Sequence, residues 1–430
     1  MLFGSSTITQ LITLVVVIPL LSRWYSPEQH GDITTFMSIL AVGASIVTLK
    51  YDQAIMVEHD REKAKTILKL ATLINLGFLI LSSCLLVLFR QPIAQLLDFQ
   101  QPPFWIYLIP PTIFLTGMVE VLMVWWNREK HYKNLSSNRI LTFGVSAGYK
   151  LIHGWFKYSK INGLVLGHAL GQFFSVLFFL PRSVFTNLTF NGSEAKSLFK
   201  QYKSFPTWAM PSGLINTFGS HIPVFLIVFF FDRETNGQYG NAMKLTYLPL
   251  VAVSHAISQV LFERLARIKN NTDEAIKLSY NILYFLFFLA LVPVLAMLIW
   301  GDIITPFILG DNWETAGIMT QIMILYCFAM YISSPFSVAF EVYNRLRLQF
   351  SYTALFTLLT GIGLFVALKI THDIYIGLVV FALIGIIVRL AMLISCFRLI
   401  GQNPMFKILI GVFIIAVSLA AGAGIRYWLF

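Results

Sequence analysis

The sequence predicts an all-α polytopic membrane protein of twelve to thirteen transmembrane helices. Three observations support this. Hydrophobic residues make up 57% of the 430 positions and charged residues only 12%. The mean hydropathy of +0.74 is far above that of a water-soluble domain. Apolar runs long enough to cross about 30 Å of hydrocarbon recur along the whole chain, with spacers too short to fold as separate domains.

Taken in order, the expected spans are 3–21, 33–56, 67–88, 104–126, 140–156, 163–180, 208–231, 239–262, 278–299, 317–341, 351–370, 375–396 and 408–427. The first lacks a basic flank and a small-residue cleavage site, so it reads as a retained helix rather than a signal peptide. The last one separates a count of twelve from a count of thirteen and sets the side of the C-terminus. Span 208–231 contains Pro211, Gly213, Gly219 and Pro223, which predicts a kink.

Loop charge gives the orientation. Alternate connections carry 20 Lys and Arg on one side and 7 on the other, so the richer side and the N-terminus are expected in the cytoplasm. This asymmetry accounts for the formal charge of +11 without nucleic acid. The outer connections are short, the longest being 300–316, which leaves little room for a catalytic domain there. Trp24, Trp105, Trp155, Trp300 and Trp313 fall near span ends, where an aromatic belt would sit. Cys84, Cys327 and Cys396 have no paired spacing and read as buried thiols.

Four cations lie within or at the edge of spans, Lys50, Lys150, Lys244 and Arg389, against two clear acids, Asp52 and Glu120. Each buried charge costs roughly 2.5 to 3.5 kcal/mol on insertion scales. An excess of one sign therefore points to an anionic ligand. Counted from the expected inner boundaries, Lys150 and Arg389 are about 15 Å and 13.5 Å deep, whereas Lys244 and Lys50 are near span ends. The first two are candidates for anion contact in a polar cavity, or else for interhelical pairing; Lys244 can snorkel and Lys50 can pair with nearby acids. Asp52 and Glu120 are candidates for ion coupling. Glu263 with Arg267 and Glu341 with Arg345 have helix-pair spacing. His153, His168, His221 and His255 read as interhelical hydrogen-bonding groups. No catalytic residue, metal ligand or cofactor motif is assigned.

The chain restarts its pattern after the connection near 181–206. An apolar helix meets an outer turn with Arg23 and Gly31 in the first half, and with Arg233 and Gly237 in the second. This predicts parallel pseudo-repeats, residues 1–190 and 207–400, joined by a cytoplasmic linker at 191–206 and followed by a terminal helix in 401–430.

Several blocks resemble the polysaccharide-transporter flippases of the multidrug, oligosaccharidyl-lipid and polysaccharide exporter superfamily. They include Leu21-Ser22-Arg23-Trp24-Tyr25-Ser26-Pro27-Glu28, Lys50-Tyr51-Asp52-Gln53-Ala54-Ile55, Trp126-Asn127-Arg128-Glu129-Lys130, Gly237-Gln238-Tyr239 and Gly310-Asp311-Asn312-Trp313. The resemblance implies two six-helix bundles around a central cavity in the bacterial cytoplasmic (inner) membrane. It also implies transfer of an undecaprenyl-pyrophosphate-linked oligosaccharide, such as an O-antigen unit of lipopolysaccharide, to the periplasmic leaflet. Membrane lipids and polysaccharide polymerase machinery are the implied partners. The rival readings are a cation-coupled multidrug exporter, which would favour an acidic cavity, and a membrane polysaccharide polymerase or ligase, which would need a large outer loop.

Overall fold

The computed structural model describes residues 12–97, 99–156, 161–180 and 192–405, with 407, 409–411, 414, 415, 418, 419 and 426. The start of the first expected span, Lys157, Lys160 and much of the expected span 408–427 lie outside the described residues. Among those described there is no strand. Among the described residues nine helices are long and apolar enough to cross a membrane, and each expected span from the second to the twelfth coincides with helical chain. By packing, the chain divides into two units, Met1–Gly237 and Gln238–Phe430.

In the first unit a π-helical turn leads into α1 (Ile18–Trp24), followed by α2 (Pro27–Val47). Ser26 starts α2 with a capping box: its hydroxyl accepts from the Gln29 N–H while the Gln29 side chain accepts from the Ser26 N–H. Then come α3 (Tyr51–Val57), α4 (Arg61–Leu96), α5 (Ile109–Arg128), α6 (Tyr132–Trp155), α7 (Gly163–Phe179), the short α8 (Gly192–Gln201) and α9 (Met210–Phe230). Side chains of Asp60 and Asn162 cap α4 and α7. α4 bends at Phe89, three residues before Pro92, whose missing N–H and ring break the local ladder. Two buried cores hold the unit: Phe36, Trp105, Ile106 and Val165 in one, and Tyr51, Ile55, Ile67 and Trp125 in the other.

Expectation and structure differ at several points. The span 33–56 is not one helix; it breaks after Val47, and Leu49 and Lys50 adopt left-handed backbone with φ of 50° and 61°. α9 stays helical through Pro223, and the irregular turn lies before it, a π-helix at Phe205–Ala209. Gly31 and Gly237 are not turn residues, because α2 and the next helix start before them. Trp105 and Trp313 are packed inside the protein rather than in a belt, whereas Cys84 is exposed on α4.

Arg128 closes the end of α5 onto the α3–α4 turn. Its guanidinium donates to the carbonyls of Ile55 (2.8 Å), Glu58 and His59 (3.1 Å). Arg128→Ala leaves these carbonyls to water and should lower stability by about 2 kcal/mol. A lowered unfolding temperature in detergent reads this out; an unchanged one would show that the contact is passive. Lysine, with one donor centre instead of a fork, should rescue only partly.

The second unit contains most of α10 (Arg233–Ile268), then α11 (Thr272–Leu309), α12 (Glu314–Ser333), α13 (Val338–Val342), α14 (Leu346–Thr371) and α15 (Ile374–Ile400). Its core is built around Leu286, Phe336, Phe340, Cys396 and Phe397. The expected outer loop 300–316 is largely helical, interrupted only at Gly310 and a 3-10 turn at Asp311–Trp313. α11 bends at Trp300, and the carbonyl of Ile299 accepts instead from Gln321 (3.3 Å) and Arg426 (2.6 Å). Arg426 also pairs with Asp302 at 2.5 Å. Glu263 and Arg267 form the expected ion pair. Glu341 and Arg345 do not, because Asn344 turns the chain with φ of 54° between them.

Candidate functional site

Lys50, Asp52 and Glu120 come together in the first unit. The break after Val47 places Lys50 just ahead of α3, with its stem 3.5 Å from where a Cβ on Gly213 of α9 would stand. Asp52 is buried and accepts from the Thr48 hydroxyl at 2.5 Å. Glu120, on α5, has Lys50 and Asp52 as its charged neighbours. The cluster thus holds two acids and one base, so Lys50 does not present an unanswered positive charge.

Lys150 is placed differently. α6 begins at Tyr132, eight residues before the expected start, and ends at Trp155, so Lys150 is five residues, about 7.5 Å, from its C-terminal end. It ends a polar stripe of Asn138, Thr142, Ser146 and Lys150 at four-residue spacing. That stripe faces Gly167, Gly171 and Ser175 of α7: a Cβ on Gly167 would stand 2.7 Å from Lys150 Cγ, and Ser175 donates to Asn138 Oδ1 at 3.0 Å. Small residues let the two helices approach closely. His168 is the titratable neighbour of Lys150, and among the described residues no acid pairs with it.

In the second unit Arg389 lies near the middle of α15, eleven residues or about 16 Å before Ile400. Its guanidinium sits over the Phe356 ring at 4.9 Å, with the Tyr326 and Tyr247 side chains nearby. No acid accompanies it among the described residues, and its buried Nε has no partner there. Lys244 lies eleven residues past Arg233, deeper along its helix than expected, and donates to Asn241 at 2.9 Å.

Sequence reasoning missed a third acid in the first unit. α2 starts at Pro27 rather than 33, which draws Asp32 into the helix. Asp32 is 6% exposed, accepts from Asn162 at 3.3 Å and faces Arg233 at 3.5 Å. The Ser26-Pro27-Glu28-Gln29 capping box was the available signal. Of the histidines, His221 meets Ser38 at 2.9 Å and His153 meets Tyr25 at 3.3 Å, each between helices. No cluster of metal-ligating residues occurs among the described residues.

Residues 20–318 match a family described as polysaccharide biosynthesis protein. The chain belongs to that family. A curated relative, the teichuronic acid biosynthesis protein TuaB of Bacillus subtilis (strain 168), is 21% identical over 170 residues, 40% of this chain and 35% of that one. The match thus spans about a third of the relative's length. Among solved structures, the lipid II flippase MurJ in an inward closed conformation superposes with a TM-score of 0.74 at 12% identity, covering 99% of this chain and 98% of that one. An inward-facing multidrug resistance MATE transporter of the MOP superfamily gives 0.68 at 11% identity, covering 97% and 98%. The family member described here therefore shares the fold of polytopic transporters and is a multi-pass membrane protein.

Proposed function

We propose that the protein flips a polyprenyl-pyrophosphate-linked oligosaccharide unit of a surface polysaccharide from the cytoplasmic to the periplasmic leaflet by alternating access. The observation that carries this reading is Arg389, a mid-helix guanidinium whose buried Nε has no hydrogen-bond partner and which pairs with no acid among the described residues. Such a group answers the charge of a pyrophosphate, whose unaided passage through hydrocarbon is prohibitive. Lys150 adds a second cation with no acid paired to it among the described residues, and Lys244, which donates to Asn241, a third. Lys50 joins them when Asp52 or Glu120 is neutralised, which is where coupling to an ion would act.

In this proposal residues 1–190 and 207–400 form two six-helix bundles, with 191–206 as the cytoplasmic linker and 401–430 as an added terminal helix. The N-terminus lies in the cytoplasm and the membrane is the bacterial inner membrane. Polysaccharide polymerase machinery would take up the product, and no covalent chemistry is required of the protein. The test is reconstitution of the full chain into vesicles with a fluorescent polyprenyl-pyrophosphate saccharide. Protein-dependent transfer between leaflets is expected. Efflux of a cationic dye without transfer of that lipid would instead favour the drug-exporter reading.

A further inference from the structure

The linker helix α8 has two faces of different character. Its inner face is occupied within the first unit: Ala195 and Leu198 are buried, and the Tyr51 hydroxyl donates to the Phe199 carbonyl at 3.0 Å with the two rings stacked at 5.3 Å. Just beyond the helix, the Tyr202 hydroxyl donates to Glu58 Oε2 at 3.0 Å. The Asp60 N–H and then the Tyr202 hydroxyl hold the Glu58 carboxyl below its usual range, so this contact stays ionised in the cytoplasmic pH range.

The lateral face carries Lys196 and Lys200, one turn apart on one stripe, and Lys203 follows in the turn just after the helix. All three are exposed, and none is ion-paired with an acid among the described residues. Glu194, the one acid of the helix, falls on the opposite flank. Phe199 is 43% exposed beside the stripe, and Trp208 in the following turn is 78% exposed. α8 lies in the chain between α7 and α9, two apolar helices, and with both crossing the membrane it belongs at the boundary between membrane and water.

We infer that this lysine stripe docks on anionic phospholipid headgroups, making α8 a strap held between the bilayer surface and the turn formed by α3 and α4. Charge complementarity selects the partner, because basic side chains beside exposed aromatics match a surface of lipid phosphates over apolar tails. The inner face already holds α3, which follows directly on Lys50. Anionic lipid would therefore steady the segment that carries that cation.

The test uses the full chain in nanodiscs of phosphatidylcholine alone or mixed with phosphatidylglycerol, with hydrogen exchange read over residues 192–203. The anionic discs should slow exchange there by at least about tenfold, and about 1 M salt should abolish the difference. The triple variant Lys196→Glu, Lys200→Glu, Lys203→Glu should lose the lipid dependence, whereas three arginines should keep it. Protection of α11 is the folding control. Equal exchange in the two lipids would overturn the inference, as would lipid dependence that persists in the glutamate variant. Protection by an added acidic peptide in neutral discs, without any lipid effect, would likewise overturn it.

Discussion

Gly31→Ala is expected to destabilise the protein more than any other single methyl addition, by about 3 kcal/mol, with most of the folded material lost from the membrane. A Cβ on Gly31 would stand 1.8 Å from the Arg233 carbonyl oxygen, and one on Gly237 would stand 1.9 Å from that of Pro27. Both obstacles are backbone, so no side chain can swing aside. The first turn of α10 is pinned to α2 around this crossing. Asn236 donates to Thr35 (2.8 Å) and to the Gly31 carbonyl (3.3 Å), Arg233 reaches Asp32, and the Arg233 guanidinium lies 4.1 Å from the Phe99 ring centroid. Relieving the clash would pull these contacts apart together. Gly144→Ala and Gly148→Ala on α6 are the controls: a Cβ meets nothing within 4 Å at either position. They should be neutral or stabilising by up to about 1 kcal/mol through helix propensity. Monodispersity and unfolding temperature in detergent compare the variants. Equal behaviour of Gly31→Ala and the controls would show that the crossing can open at no cost.

The second large effect is expected at Arg389. In a strain lacking its own flippase, surface polysaccharide export supported by Arg389→Ala should fall roughly 30-fold relative to the parent chain. Folding should be nearly unaffected, because no acid among the described residues is left unpaired by the change. Arg389→Lys should recover part of the activity, since it restores charge without the fork that matches a phosphate. Lys150→Ala should act in the same direction and more weakly, given its position near the end of α6. Unimpaired export by both alanine variants, at equal protein levels, would assign both cations to packing.

Much of the fold was legible in the sequence because membrane helices announce themselves by length and polarity, and because caps such as Asp60, Asn162, Asn271 and Asp373 are local signals. The break at Leu49 and Lys50 was not legible. Neither residue is a glycine or proline, and the left-handed backbone there is held by the burial of Tyr51, Ala54 and Ile55 around it. The cations were visible as charges in apolar runs, but their partners were not. Glu120 is far from Lys50 in sequence, and the aromatic surroundings of Arg389 come from three other helices. Helix starts were the weakest inference: α6 begins at Tyr132 and α10 at Arg233, eight and six residues before the boundaries that hydropathy alone set at 140 and 239. Gly31 and Gly237 stood out as matching positions in two halves, yet their mutual contact is a long-range fact that no local pattern encodes.

The bend in α11 has a practical consequence for the far end of the chain. Lys407 rests over Tyr280 at 3.3 Å, while Arg426 grips the opened turn at Ile299 and Asp302. Tyr280 and Asp302 are separated by about 33 Å of helix, close to the thickness of the hydrocarbon layer. A purification tag or reporter fused behind Arg426 therefore starts at the Trp300 end of α11, about one bilayer thickness from one inserted at Lys407.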